Sequence, residues 1–246
     1  MPAQPAAVHY IPILTTVLAF GFGAVVFRRW QARGGTHLLW WGIGMLTYGA
    51  GTLTEALTTL LGWQEPVFRA WYITGALLGG APLAQGTVYL LMNRRVANRL
   101  TVALLAAIGV ASVAVLLSPI NQAAVEPFRL SGRVFSWQWV RAFSPFINLY
   151  AAVFLIGGAA WSAVRYWREA EGGRRAAGNA LIAVGALLPG IGGSFTRFGH
   201  VEVLYVTEFI GLALILAGYH LNVTAGSPSV HTVPMTHPEP PLVQHG

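Results

Sequence analysis

The chain has 246 residues, 55% of them hydrophobic and only 9% charged, where a soluble domain carries about 25%. Its formal charge of +7 comes from fifteen arginines and no lysine, set against eight glutamates and no aspartate. With no cysteine either, the composition excludes disulfides, thiolate metal sites, cysteine nucleophiles, a catalytic aspartate pair and Schiff-base chemistry, and with the last any retinal photoreceptor of the usual kind.

A mean hydropathy of +0.58 points to an integral membrane protein. The N-terminal MPAQPAAVHY has no positive charge. A signal peptide needs a basic n-region, so the first apolar run is expected to be a retained span. A span needs about 20 mostly apolar residues. Seven segments qualify by pattern: about Tyr10 to Phe27, Leu38 to Leu61, Val67 to Met92, Leu100 to Leu117, Ser136 to Tyr166, Gly178 to Phe198 and Val201 to Leu221. The expected fold is all-α, a polytopic seven-transmembrane-helix bundle over residues 1–222. The Pro- and His-rich tail, residues 223–246, cannot bury a core and is expected to be disordered.

The arginines fall in short clusters between the apolar runs. Ten of them, Arg28, Arg29, Arg33, Arg94, Arg95, Arg99, Arg165, Arg168, Arg174 and Arg175, flank one side; Arg69, Arg129, Arg133 and Arg197 flank the other. Loop arginines mark the cytoplasmic side, so the N-terminus is expected outside and the C-terminus in the cytoplasm. This placement, with no aromatic-interleaved basic groove, argues against nucleic acid and for the lipid bilayer as the partner. The longest loop, Ser118 to Phe135, then lies outside. Its PFRLSGRVFSW reads equally as a small β-hairpin and as an irregular loop. Pro82, Pro145 and Pro189 interrupt the third, fifth and sixth spans and are candidate hinges. Pro189 stands in LLPGIGG, whose glycines offer either a close-packing face or a joint.

Charge inside the apolar runs is the main functional signal. Glu55 lies eighteen residues beyond His37, about 27 Å along a helix, in the outer half of the bilayer. Glu208 lies about two turns into the seventh span, and Arg141 about five residues into the fifth. A charge at mid-membrane costs at least about 2.5 kcal/mol and normally faces the bundle interior. Glu55, Arg141 and Glu208 are therefore expected to share a polar pocket open to the outside. Thr52, Thr54, Tyr72, Asn148, Tyr205 and Thr207 could supply hydrogen bonds, and Arg69, Arg197 and His200 could line the mouth. Two carboxylates against one arginine favour protonation of one of them, or a bound cation. The alternatives are a purely structural ion pair between helices, and snorkelling of the acids to the surface. No histidine pairing suggests haem, the tail histidines His231, His237 and His245 read as a polar tail ahead of a loose metal site, and GxSxG, HExxH, P-loop and dinucleotide patterns are missing. Neither cofactor nor enzymatic chemistry is expected.

The stretch WWGIGMLTYGAGTLTEALTTLLGWQEPVFRAWYITGALLGGAPLAQGTVYLL, Trp40 to Leu91, carries a Trp-Gly-rich span ending near a glutamate. A short loop follows, then Arg and Tyr opening a span with a mid-helix proline. It resembles the seven-transmembrane sensor modules at the N-terminus of bacterial histidine kinases and cyclic-dinucleotide enzymes. Glu55, Arg69, Tyr72 and Pro82 carry the likeness. The resemblance implies a sensor in the bacterial inner (plasma) membrane that binds a small ligand or proton. No output domain follows in the residues after Leu221, so such a sensor is expected to signal through a separate membrane or cytoplasmic protein. A structural or accessory subunit of a membrane complex is the second reading, and a small-solute or ion transporter the third.

Overall fold

Pro12 suits the first turn of a helix, where its missing N–H bonds nothing, and α1 (Ile11–Arg33) starts there after a 3-10 turn at Ala7–Tyr10. The structure, a computed structural model, describes residues 6–169 and 172–225, except the side chain of Arg197. Gly34 and Gly35, with φ of 67° and 99°, take the left-handed backbone that reverses the chain into α2 (Thr36–Leu61). Next come α3 (Glu65–Trp71), a π-helical segment at Tyr72–Leu77, and α4 (Ala81–Leu91). Asn93 caps α5 (Arg94–Leu117) by accepting the Val96 N–H at 3.0 Å. After a long loop come α6 (Phe143–Ala151), a π-helical segment at Ala152–Ile156, and α7 (Gly157–Trp167). The chain closes with α8 (Gly173–Phe195) and α9 (Val201–Ala225).

The described residues are all-helical apart from turns, loop and two isolated β-bridges. Among the described residues five segments are long and apolar enough to cross a membrane: 7–33, 94–117, 138–167, 173–195 and 201–225. The second and third expected spans fall short of that standard for different reasons. Helix α2 has the length, 26 residues, but glycines, threonines and Glu55 dilute its apolar character. The third is broken, because the chain bends at Leu78–Gly80 and Pro82 then sits in the first turn of a new helix.

Beside its apolar cores the protein buries a set of polar side chains and turns large apolar ones outward. The buried set includes Thr15, Thr16, Thr52, Thr54, Glu55, Thr58, Thr59, Gln85 and Thr87. Large apolar side chains face outward instead, Phe146 at 74% exposure among them, with Leu14, Val17, Val102 and Val110. Only an apolar solvent makes that arrangement favourable, and the protein is membrane-embedded.

Pro145 is the third residue of α6, where the missing N–H costs little, and the helix loosens later, at Ala152–Ile156. Pro189 lies inside an unbroken α8. Helices α8 and α9 run antiparallel in very close contact. A Cβ on Gly185 would stand 2.5 Å from the Gly211 carbonyl, and one on Gly178 2.8 Å from that of Gly218. One on Gly192 would stand 2.7 Å from Leu204 Cα. In LLPGIGG, Gly192 is therefore a packing glycine, while Gly190 and Gly193 meet nothing within 4 Å among the described residues.

The loop after α5 is built around 3-10 turns at 122–124 and 132–134, and a third at 138–142 leads directly into α6 as the start of segment 138–167. No β-hairpin forms there: the bridges are Ile120 to Phe135 and Glu126 to Arg129. Its apolar residues Leu130, Val134, Phe135 and Val140 instead plug a core with Phe68, Tyr72 and Leu77. Phe135 meets the Tyr72 ring edge-on at 4.8 Å. A second core, around Phe22, Val26, Leu38, Met45, Leu83 and Leu212, lies toward the arginine-rich end. Helix α9 continues to Ala225, into the stretch assigned to the tail; the remainder, 226–246, lies outside the described residues.

A candidate site: the acid pair between α2 and α9

Helix α2 offers a run of threonines to Glu55, yet each turns its hydroxyl elsewhere. Thr54 donates to the Gly51 carbonyl at 2.5 Å and Thr58 to that of Thr54 at 2.9 Å. Thr59 donates to Glu55 O and His9 O, and Thr52 meets Thr16 Oγ1 at 3.0 Å. Such back-bonding satisfies hydroxyls in an apolar medium and leaves none for the carboxylate. Glu55 itself is 3% exposed. Its Oε1 accepts the indole N–H of Trp71, on α3, at 3.0 Å.

Glu208, on α9, brings its carboxyl group beside that of Glu55. Tyr48 of α2 donates to the Glu208 backbone carbonyl at 3.1 Å and ties the two helices together. Tyr205, three residues earlier on α9, is 2% exposed and packs its ring edge against His9. The Oε2 atoms of both glutamates are buried with no hydrogen-bond partner among the described residues. The ion pairs among those residues are Arg69–Glu65, Arg129–Glu126 and Arg165–Glu169, so neither carboxylate has an arginine.

Arg141 does not join them. Its sequence depth assumed an α-helix from Ser136, whereas residues 138–142 form a 3-10 turn that opens the segment 138–167. There its guanidinium donates to Gln138 Oε1 at 2.8 Å. Tyr72 lies in the loop-capped core, and Asn148, exposed, donates to Ala76 O at 3.3 Å and ties α6 to the π-helical segment. Thr207 bonds back to Val203 O. Arg69 caps α5, donating to the carbonyls of Val115 and, at 2.9 Å, Ser118. His200 is exposed, with its backbone N–H on Phe195 O. The Arg197 side chain lies outside the described residues.

Sequence reasoning passed over Trp71 and Tyr48, the two side chains that hold the pair in place. It also passed over Gln85, which is fully buried. Gln85 accepts the Tyr150 hydroxyl at 2.5 Å and donates to Thr101 Oγ1 at 2.8 Å. Thr101 continues to Tyr89, which reaches Asn98. An amide in the middle of APLAQGTVYLL was the available signal.

Two adjacent carboxylates in a low-dielectric interior repel strongly unless a positive charge lies between them. One bound proton or one small monovalent cation would satisfy both free oxygens, and the Trp71 bond fixes the direction of the Glu55 group. No cluster of three or more metal-ligating residues exists among the described residues. Fold and site together define a helical membrane-embedded protein with a buried acid pair that joins side chains of α2 and α9. Compared with protein-family models, curated proteins and solved structures, the chain matches none.

Proposed function

We propose that the chain is a non-enzymatic membrane sensor or binding module whose acid pair, Glu55 and Glu208, takes up a single positive charge from the outer side. The observation that carries this reading is the pair of buried, unpartnered Oε2 atoms on neighbouring helices. A structural ion pair between helices needs opposite charges, and these are like charges without an arginine among the described residues. Uptake of the charge draws α2 and α9 together, and its loss pushes them apart; a protein partner reads the difference.

The same reading takes the chain through the inner membrane seven times, N-terminus outside. Helix α2 and the broken α3–α4 unit supply the two crossings beyond the five apolar ones. Arg29, Arg165 and Arg175 line one cavity, which supports a common cytoplasmic end for these clusters. Arg69 and Arg129 instead secure the opposite end, on Val115, Ser118 and Thr196 carbonyls.

Infrared difference spectroscopy on the purified protein in lipid nanodiscs tests the proposal. A pH step should show the carbonyl stretch of a protonated carboxyl group in wild type and not in a Glu55→Gln/Glu208→Gln variant. If the charge is a metal cation, sodium or potassium should instead shift the emission component lost in Trp71→Phe. Identical spectra and titrations in wild type and the double variant would refute the reading.

A further inference from the structure

A cavity of about 670 Å³ opens among six helices at the arginine-rich end, within the size range that holds a small-molecule ligand. Its walls are graded. On α1 the lining passes from Phe22 and Val26 to Arg29, and on α9 from Ile215 to Tyr219 and Asn222. On α7 it passes from Ala159 through Ser162 to Arg165, and on α8 from Ile182 through Asn179 to Arg175. On α2, His37 stands at the helix start and Leu38 and Met45 lie deeper. Five helices thus change from apolar to polar in the same direction.

The polar end is basic. Three arginines and a histidine line the cavity, and no carboxylate among the described residues does. Arg29 lies over the Tyr219 ring and Arg175 over the Tyr166 ring, each at 5.6 Å. Stacking of this kind holds a guanidinium while leaving its N–H edge free for an oxyanion. Among the described residues the only acid paired with these arginines is Glu169, exposed, 3.8 Å from Arg165. The Tyr219 hydroxyl is buried without a partner among the described residues. A buried donor of that kind costs stability unless a ligand meets it.

We propose that this cavity binds an anionic phospholipid, one acyl chain in the apolar depth and the phosphate among Arg29, Arg165, Arg175 and the Tyr219 hydroxyl. A purely apolar ligand would leave the arginines unanswered, a cation would be repelled, and a free anion would leave the apolar depth unused. Basic pockets between transmembrane helices at the cytoplasmic side suit anionic head groups. The inference is independent of the acid pair.

The test uses the full chain reconstituted in phosphatidylcholine vesicles with or without phosphatidylglycerol, then released into mild detergent for native mass spectrometry. Wild type should retain one phosphatidylglycerol. Arg29→Gln/Arg165→Gln/Arg175→Gln should weaken that retention on the order of a hundredfold. Arg94→Gln/Arg95→Gln/Arg99→Gln, on exposed arginines outside the cavity, should leave it unchanged. Ser162→Trp, which fills the slot and keeps every arginine, should abolish it in a monodisperse protein. Equal retention of phosphatidylcholine, equal loss in the control arginine variant, or retention in Ser162→Trp would overturn the proposal. So would displacement of the lipid by millimolar inorganic phosphate, which would make the site one for free anions.

Discussion

Helices α8 and α9 meet along glycines spaced every seven residues, and their contact can be tested at single-atom resolution. Consider Gly211→Ala. The added Cβ would lie 2.5 Å from the Gly185 carbonyl oxygen and 3.1 Å from Pro189 Cδ. A carbon–oxygen contact of this type settles at about 3.3–3.6 Å, so the helices must separate by roughly 1 Å. The obstacle is backbone, which cannot rotate aside. Overpacking of this kind costs about 1–3 kcal/mol. Alanine also gains up to about 1 kcal/mol of helix propensity over glycine, which blurs a single measurement.

Gly190→Ala removes the blur. It gains the same propensity in the same helix pair, yet its Cβ meets nothing within 4 Å. The difference between the two variants therefore reads the clash alone, and we expect Gly211→Ala to be less stable by about 1–3 kcal/mol. Reversible unfolding in mixed micelles of mild and denaturing detergent measures it. Equal stabilities, within about 0.5 kcal/mol, would mean that the stripe does not hold the helices together and that the close approach is incidental.

Arg69→Gln removes two charge-assisted bonds from the end of α5 and should cost about 1.5–3 kcal/mol. It should also expose residues 119–137 to protease, and an unchanged digestion pattern would show that the cap does not secure the loop. A double-mutant cycle of Gln85→Leu with Tyr150→Phe should give a coupling near 0.6 kcal/mol, and not above about 1.7, the range for hydrogen bonds between membrane helices. A coupling of zero would show that their bond adds nothing to stability.

The apolar runs of the first, fourth, fifth, sixth and seventh spans are visible in the sequence because lipid demands an unbroken apolar face. The third is harder, since Pro82 inside an apolar run is the same signal for a kink and for a new helix. What decides between them is Gly79–Gly80, just before it, which lets the chain bend and α4 restart. In the long loop, alternating apolar residues announced burial, but Phe135 and Val134 find their partners on α3 and in the π-helical segment rather than across a strand. Counting residues places Glu55 and Glu208 at similar depth because helical rise is constant. The same count misplaces Arg141, where the chain is not yet an α-helix. Trp71 as the partner of Glu55 depends on how α3 lies against α2, and that is tertiary information.

The acid pair and the basic cavity share two walls. Helix α2 carries Glu55 near one end and His37 at the other, eighteen residues or about 27 Å away. Helix α9 carries Glu208 and, eleven residues on, Tyr219. Any displacement of α9 at the pair reaches the cavity wall, and it takes α8 along, because the glycine contacts leave no room for sliding. Arg175 on α8 and Tyr219 on α9 would then shift together relative to Arg29 on α1, which lies over the Tyr219 ring. If this mechanical link operates, Glu55→Gln/Glu208→Gln, which removes the repulsion, should change phosphatidylglycerol retention although neither residue lines the cavity. A coupling of 1–3 kcal/mol corresponds to about 5–150-fold. Unchanged retention in the double variant, with lipid still lost in the Arg29/Arg165/Arg175 variant, would show two independent sites in one bundle.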